Sequence, residues 1–336
     1  MEHKSGNKIT IIGAGMVGST IAYTLATQRI ATEIVLIDIV KDKAEGEAMD
    51  IQQGMAFQEP INVYSGDYKD AEGSDIVVIT SGAARKKGMT RIDLAQTNVN
   101  IIKSITPDIV KHAPDAIYIL VSNPVDILTY VFAKISGIPE HRIIGSGTVL
   151  DTARFRSNVS EHFNVAQKNV HGFVFGEHGD SSFIPWSSVT IAGVSVDDYA
   201  VCSIGKGKNV TKIDKDEVID YVHKSGGRII ANKGATNYAV SVSVSRICRL
   251  ILSPYGSLTT VSTILHGEYG ISDVAISILT EIGPNGVKGR LELPITLEEK
   301  EQLYESANAL KKVIAQLDID GPSKASKEEV EETAKN

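Results

Sequence analysis

The stretch Gly82-Ala-Ala-Arg-Lys-Lys-Gly-Met-Thr-Arg91 sets two arginines, Arg85 and Arg91, six residues apart, just after the apolar run Asp75-Ile-Val-Val-Ile-Thr80. A guanidinium is a permanently charged planar fork that matches a carboxylate. Two of them in one glycine-containing loop (82–91) fit a lid that closes over an anionic substrate. The plainer alternative is a solvated basic turn, since Lys86 and Lys87 lie between them. Further along, Asp151-Thr-Ala-Arg154 spaces a carboxylate and a guanidinium to share one face of a helix. Gly176-Glu-His-Gly-Asp180 then puts His178, flanked by glycine, between two strand candidates. A histidine with a carboxylate partner carries protons near neutral pH. Singly, these residues also read as a salt bridge at a helix start and a turn histidine. Together they would move a proton on an anion.

A second constellation lies at the N-terminal end. Gly13-Ala-Gly-Met-Val-Gly18 follows an apolar run and opens a helical pattern. In that context Gly13 allows a tight turn, Gly15 lets the backbone approach a pyrophosphate, and Gly18 permits close helix–strand packing. The free N–H groups and positive dipole end at Met16 and Val17 would face the phosphates. Asp38 ends the next apolar run, 20 residues after Gly18, where it can accept hydrogen bonds from both ribose hydroxyls. A 2′-phosphate there would meet like charge, so NAD is expected over NADP.

These groups need a scaffold. The first 145 residues alternate β-branched runs at 8–12, 33–37, 62–64, 75–80, 116–121 and 142–145 with helical patterns at 17–28, 43–57, 92–111 and 125–136. Wholly apolar strands alternating with helices predict a parallel sheet covered on both faces. The later pattern is mixed: helices at 150–163, 215–231, 235–252 and 297–317, and strands at 170–175, 184–189, 259–266, 274–282 and 286–291. The expected class is α/β, a Rossmann doubly wound parallel sheet (1–145) followed by a mixed α+β substrate domain (146–320) and a frayed polar tail (321–336). A length of 336 residues suits two domains. A net charge of −7 argues against a nucleic-acid partner, and no apolar run reaches the length of a membrane span. Cys202 and Cys248 lie in apolar surroundings without metal-ligand spacing, so buried reduced thiols and no metal are expected. The polar N-terminus lacks a signal-peptide pattern, which predicts a cytoplasmic protein.

The motifs together resemble the lactate/malate dehydrogenase superfamily over almost the whole chain. The resemblance also takes in Ser122-Asn-Pro-Val-Asp126, Gly145-Ser-Gly-Thr-Val-Leu-Asp-Thr-Ala-Arg154 and Gly234-Ala-Thr-Asn-Tyr238. It implies NAD-dependent hydride transfer between a 2-hydroxy and a 2-oxo acid. His178 would be the acid/base, Asp151 its orienting carboxylate, Arg154 the fork for the substrate carboxylate, and Arg91 the lid group polarising the carbonyl. Asn123 would bond near the substrate oxygen and the nicotinamide ribose. The segment from Gly145 to Arg156, with Thr236 lining the pocket, resembles bacterial L-lactate dehydrogenases. The lid does not: Arg85 and Met89 stand where malate dehydrogenases carry them, and Lys87 replaces a proline common to both. This mosaic predicts a lactate dehydrogenase scaffold whose Arg85 admits oxaloacetate; plain lactate dehydrogenase, with Arg85 turned to solvent, is the alternative. By the same resemblance Arg156 and His171 would bind fructose 1,6-bisphosphate, unless they are ordinary surface groups, and the assembly would be a homotetramer. A non-catalytic nucleotide-binding protein is disfavoured by the intact set Arg91, Asp151, Arg154 and His178.

Overall fold

A computed structural model of the chain describes residues 6–84, 88–202 and 212–320. Arg85 and the tail from 321 lie outside these residues. The first half runs β1 (Lys8–Ile12), α1 (Met16–Thr27), β2 (Glu33–Ile37), α2 (Lys41–Gly54), β3 (Asn62–Ser65), β4 (Ile76–Ile79), α3 (Arg91–His112), β5 (Ile117–Leu120), α4 (Val125–Ser136) and β6 (Ile143–Gly145). The second half runs α5 (Val149–Phe163), β7 (Val170–His171), β8 (Thr190–Ile191), β9 (Val194–Ser195), α6 (Val196–Cys202), α7 (Lys215–Lys233), α8 (Tyr238–Ile251), β10 (Ser257–Thr259), β11 (Ser262–His266), β12 (Ser272–Ser277), β13 (Thr280–Gly283), β14 (Gly286–Arg290) and α9 (Leu297–Ile314).

The first six strands pair in parallel in the order β6-β5-β4-β1-β2-β3, the doubly wound Rossmann arrangement. Its central strands β4 and β5 are apolar throughout because both faces are covered. In β4, Val77 and Ile79 join one buried cluster and Ile76 and Val78 the other. Two strands of the second half, β11 and β12, extend this sheet in antiparallel fashion beyond β6. The remainder of that half forms two small antiparallel sheets, β10-β13-β14 and β7-β8-β9, and the helices α5 to α9. Phe155 and Val159 of α5 and Val218 and Val222 of α7 share one core with the β7–β9 sheet.

Several strands depart from their sequence-based extents. The run 274–282 is two strands, because after Ser277 the backbone leaves β11 and takes new partners in β10 and β14. The run 259–266 divides likewise between β10 and β11. No strand spans 184–189. Pro185 removes a donor, and Glu299 of α9 accepts both the N–H and the hydroxyl of Ser187, fixing a 3-10 turn at Trp186–Ser188. The strand expected over 170–175 is only the two residues of β7. Cys248 is buried as expected, whereas Cys202 is exposed at the end of α6. Among the described residues no helix is long and apolar enough to cross a membrane.

Candidate active site

The elements meet at the carboxyl ends of the parallel strands, where crevices form in open α/β sheets. A cavity of about 240 Å³ lies there, lined by Asn123, Asp151, Arg154, His178 and Thr236 among others. His178 stands in a loop closed by the paired backbones of Phe175 and Phe183. The preceding glycine ties that loop to the sheet by donating from its N–H to the carbonyl of Ser277 in β12, 2.9 Å away.

Asp151 organises the site. It lies in the first turn of α5, 5% exposed. One carboxylate oxygen meets His178 Nδ1 at 2.6 Å, and the other accepts from Arg154 Nη1 at 2.9 Å. Burial opposes its charge, yet His178 and Arg154 hold it below the ordinary carboxylate range. Asp151 in turn raises His178 from 6.5 to about 9, against the opposing effect of burial, so the ring carries a proton at neutral pH. The guanidinium faces the helix α7, where an added Cβ at Gly226 would lie 3.5 Å from Arg154 Nη2. Bare backbone there leaves the fork unobstructed. The result is an acid held beside a carboxylate receptor in a sheltered cleft, an arrangement able to protonate a ketone oxygen of a bound anion.

Arg91 is placed differently from the expectation that it points at the substrate. It opens α3 behind a Thr90–Asp93 capping box. Its guanidinium forms an exposed ion pair with Asp180, which raises its already high proton affinity. Asp180 itself lines the cavity, so Arg91 stands at the rim. Asn123 precedes Pro124 through a cis peptide bond, and its carbonyl accepts from the Asn98 side chain at 2.6 Å. Buried Asn98 also takes the Ala83 N–H at 2.6 Å, linking the stem of the lid segment to Asn123. Asn98 was not legible as functional; a polar residue amid Val99, Ile101 and Ile102 was the available signal. His223, which also lines the cavity and bonds to Ser182, was likewise unmarked.

The glycine loop fits a dinucleotide. Gly13 has φ +106°, and a Cβ at Gly18 would lie 1.8 Å from the Gly13 carbonyl oxygen, so neither position accepts a side chain. An added Cβ at Gly15 would meet nothing within 4 Å, so its surface is open to a ligand. Helix α1 starts there with no side-chain cap, leaving the amides at Met16 and Val17 available to phosphate. Asp38 accepts from Ala14 N at 2.6 Å and Val40 N at 2.9 Å, which anchors it at the loop and leaves lone pairs for ribose hydroxyls. Arg156, on α5, donates to the Gly172 carbonyl at 3.0 Å and lies over the Phe173 ring, while neighbouring His171 is exposed in β7.

Comparison with known proteins gives two consecutive family matches. Residues 7–145 match the lactate/malate dehydrogenase NAD binding domain, and 148–318 match its alpha/beta C-terminal domain. An L-lactate dehydrogenase 1 of Clostridium acetobutylicum is 50% identical over 308 residues, 92% of this chain and 97% of that protein. An L-lactate dehydrogenase of a Thermoanaerobacter species is 50% identical over 313 residues, 93% of this chain and 100% of that one. The crystal structure of a minor L-lactate dehydrogenase from Enterococcus mundtii superposes with a TM-score of 0.89 at 37% identity, covering 94% of this chain and 100% of that one.

Proposed function

The chain belongs to the lactate/malate dehydrogenase family, with NAD as its cofactor, and from that premise we propose that it interconverts pyruvate and L-lactate and, through Arg85, also accepts oxaloacetate and L-malate. One observation carries the reading. The carboxylate of Asp151 bridges the acid/base His178 and the substrate fork Arg154 within a single cleft. When bound at the glycine loop, NADH supplies the hydride. Arg154 holds the substrate carboxylate by a two-pronged, charge-assisted bond. His178 donates its proton to the carbonyl oxygen, and Asp151 stabilises the ring in its charged form and fixes its orientation. In the reverse direction the imidazole accepts the hydroxyl proton. Arg91 leaves Asp180 as the lid closes and turns to the carbonyl oxygen, where negative charge develops. Asn123 bonds near that oxygen, and Thr236 packs beside the substrate.

Arg85 decides the second substrate. Oxaloacetate has a carboxylate where pyruvate has a methyl group, so a closed lid satisfies Arg85 in one case and buries it unmatched in the other. A difference of about 3 kcal/mol is roughly a hundredfold in kcat/KM. The test compares kcat/KM for both acids in the wild type and in Arg85→Gln. The ratio should swing toward pyruvate by about a hundredfold or more; an unmoved ratio leaves a plain L-lactate dehydrogenase. The same family reading gives Arg156 and His171 to fructose 1,6-bisphosphate in a homotetramer. The bond from Arg156 to the residue after His171 supports their joint use.

A further inference from the structure

His178 is gripped by a second carboxylate, on a different element from Asp151. Asp126, in the first turn of α4, is 2% exposed, and its Oδ2 accepts the backbone N–H of His178 at 2.7 Å. Its Oδ1 is buried with no hydrogen-bond partner. Ser262 of β11 lies close enough to ease the carboxylate's charge, but outside hydrogen-bonding geometry, and its own buried hydroxyl has no partner either. A buried carboxylate with one unmet oxygen is a costly way to hold one N–H. A neutral asparagine could accept the same bond. The charge therefore needs a purpose beyond anchoring.

The charges around the pair supply one. Asp126 is acted on by its own burial, by His178, which favours its ionised form, and by Glu177, which opposes it. The N-terminal end of α4 adds a partial positive potential. His178 in turn faces Asp151 and Asp126, which favour its protonated ring, and Arg154, which disfavours it. We propose that Asp126 is a positioning residue for His178: its carboxylate fixes the loop backbone at the acid/base, and its negative charge helps to keep the proton on the ring. This rests on the reading of His178 as the acid/base, and it couples the Asn123–Asp126 turn to proton delivery. Burial holds Asp126 up at about 6, so its charge is present over the neutral and alkaline range where His178 releases its proton.

The test is the titration of the His178 imidazole by NMR in the full chain without substrate, its resonance assigned by its loss in His178→Asn. Asp126→Asn keeps the acceptor and removes the charge, so His178 should release its proton about one pH unit lower, a tenfold loss of affinity. In turnover, the alkaline limb of kcat/KM for pyruvate should move down by the same amount. A lower plateau with an unmoved limb and an unmoved titration overturns the proposal and leaves Asp126 a merely structural anchor. Because the titration needs no turnover, failure of the dehydrogenase reading would show separately, as an inactive wild type. If Asp126→Asn does not fold, the wild type still decides. The His178 amide resonance should move as the Asp126 carboxyl resonance titrates, and an amide that stays unmoved while that carboxyl gains or loses its proton refutes the link.

Discussion

Replacing Asp151 by asparagine removes the largest influence on the proton affinity of His178 while keeping the shape of the side chain. With Asp151 present, His178 sits at about 9 against its ordinary 6.5, which corresponds to roughly 3 kcal/mol of preference for the charged ring. At pH 8 about nine-tenths of the rings then carry the proton needed to reduce a ketone. Without the carboxylate, and with Arg154 still adjacent, the value returns to about 6.5 or below, and only about 3% are protonated at that pH. Asp151→Asn should therefore lose about thirtyfold in kcat/KM for pyruvate at pH 8 from protonation alone. The 2.6 Å contact to Nδ1 also sets the tautomer and ring orientation, so a further loss independent of pH is expected. The assay is the pH profile of NADH oxidation from about pH 5 to about pH 10. The variant's alkaline limb should fall by about two and a half units relative to the wild type. A variant whose profile is uniformly lower but unshifted would refute the claim that Asp151 holds the proton on His178.

Arg154→Leu should raise KM for pyruvate more than it lowers kcat, with at least about a hundredfold loss in kcat/KM, because the substrate carboxylate loses its fork. Since Arg154 also disfavours the His178 proton, the alkaline limb of that variant should move up, not down; a downward move contradicts the electrostatics given for the site. NADH should be used in strong preference to NADPH, because the Asp38 carboxylate is anchored at the loop by two backbone amides and would face a 2′-phosphate. Comparable kcat/KM with both cofactors would remove Asp38 from that role.

The parallel strands were legible because burial on both faces leaves an unbroken apolar signature, as in Ile76-Val-Val-Ile79. The second half was less so, since distant partners decide it. Nothing local to residues 184–189 announces that Glu299 will claim the Ser187 backbone, and nothing within 274–282 marks where β12 ends and β13 takes other neighbours. In the site, the spacing of Asp151 and Arg154 gave their shared face, and the structure adds that one carboxylate serves both Arg154 and His178. The resting partner of Arg91 was out of reach, because an exposed guanidinium pairs with whichever carboxylate the fold brings near, here Asp180. Asp126 was visible in its motif but silent about its role. A carboxylate in the first turn of a helix already has an ordinary explanation in the helix dipole.

The central claim is that His178 delivers a proton to a 2-oxo acid as NADH is oxidised. Its most direct test is pyruvate-dependent loss of NADH absorbance by the purified chain, run beside His178→Asn, with cofactor binding measured separately by NADH fluorescence. We expect turnover in the wild type, and in the variant near-wild-type NADH binding with at most about a hundredth of the activity, the low end of what a positioned acid contributes. A wild type inert toward pyruvate and oxaloacetate, or a variant that turns over as the wild type does, would contradict the account.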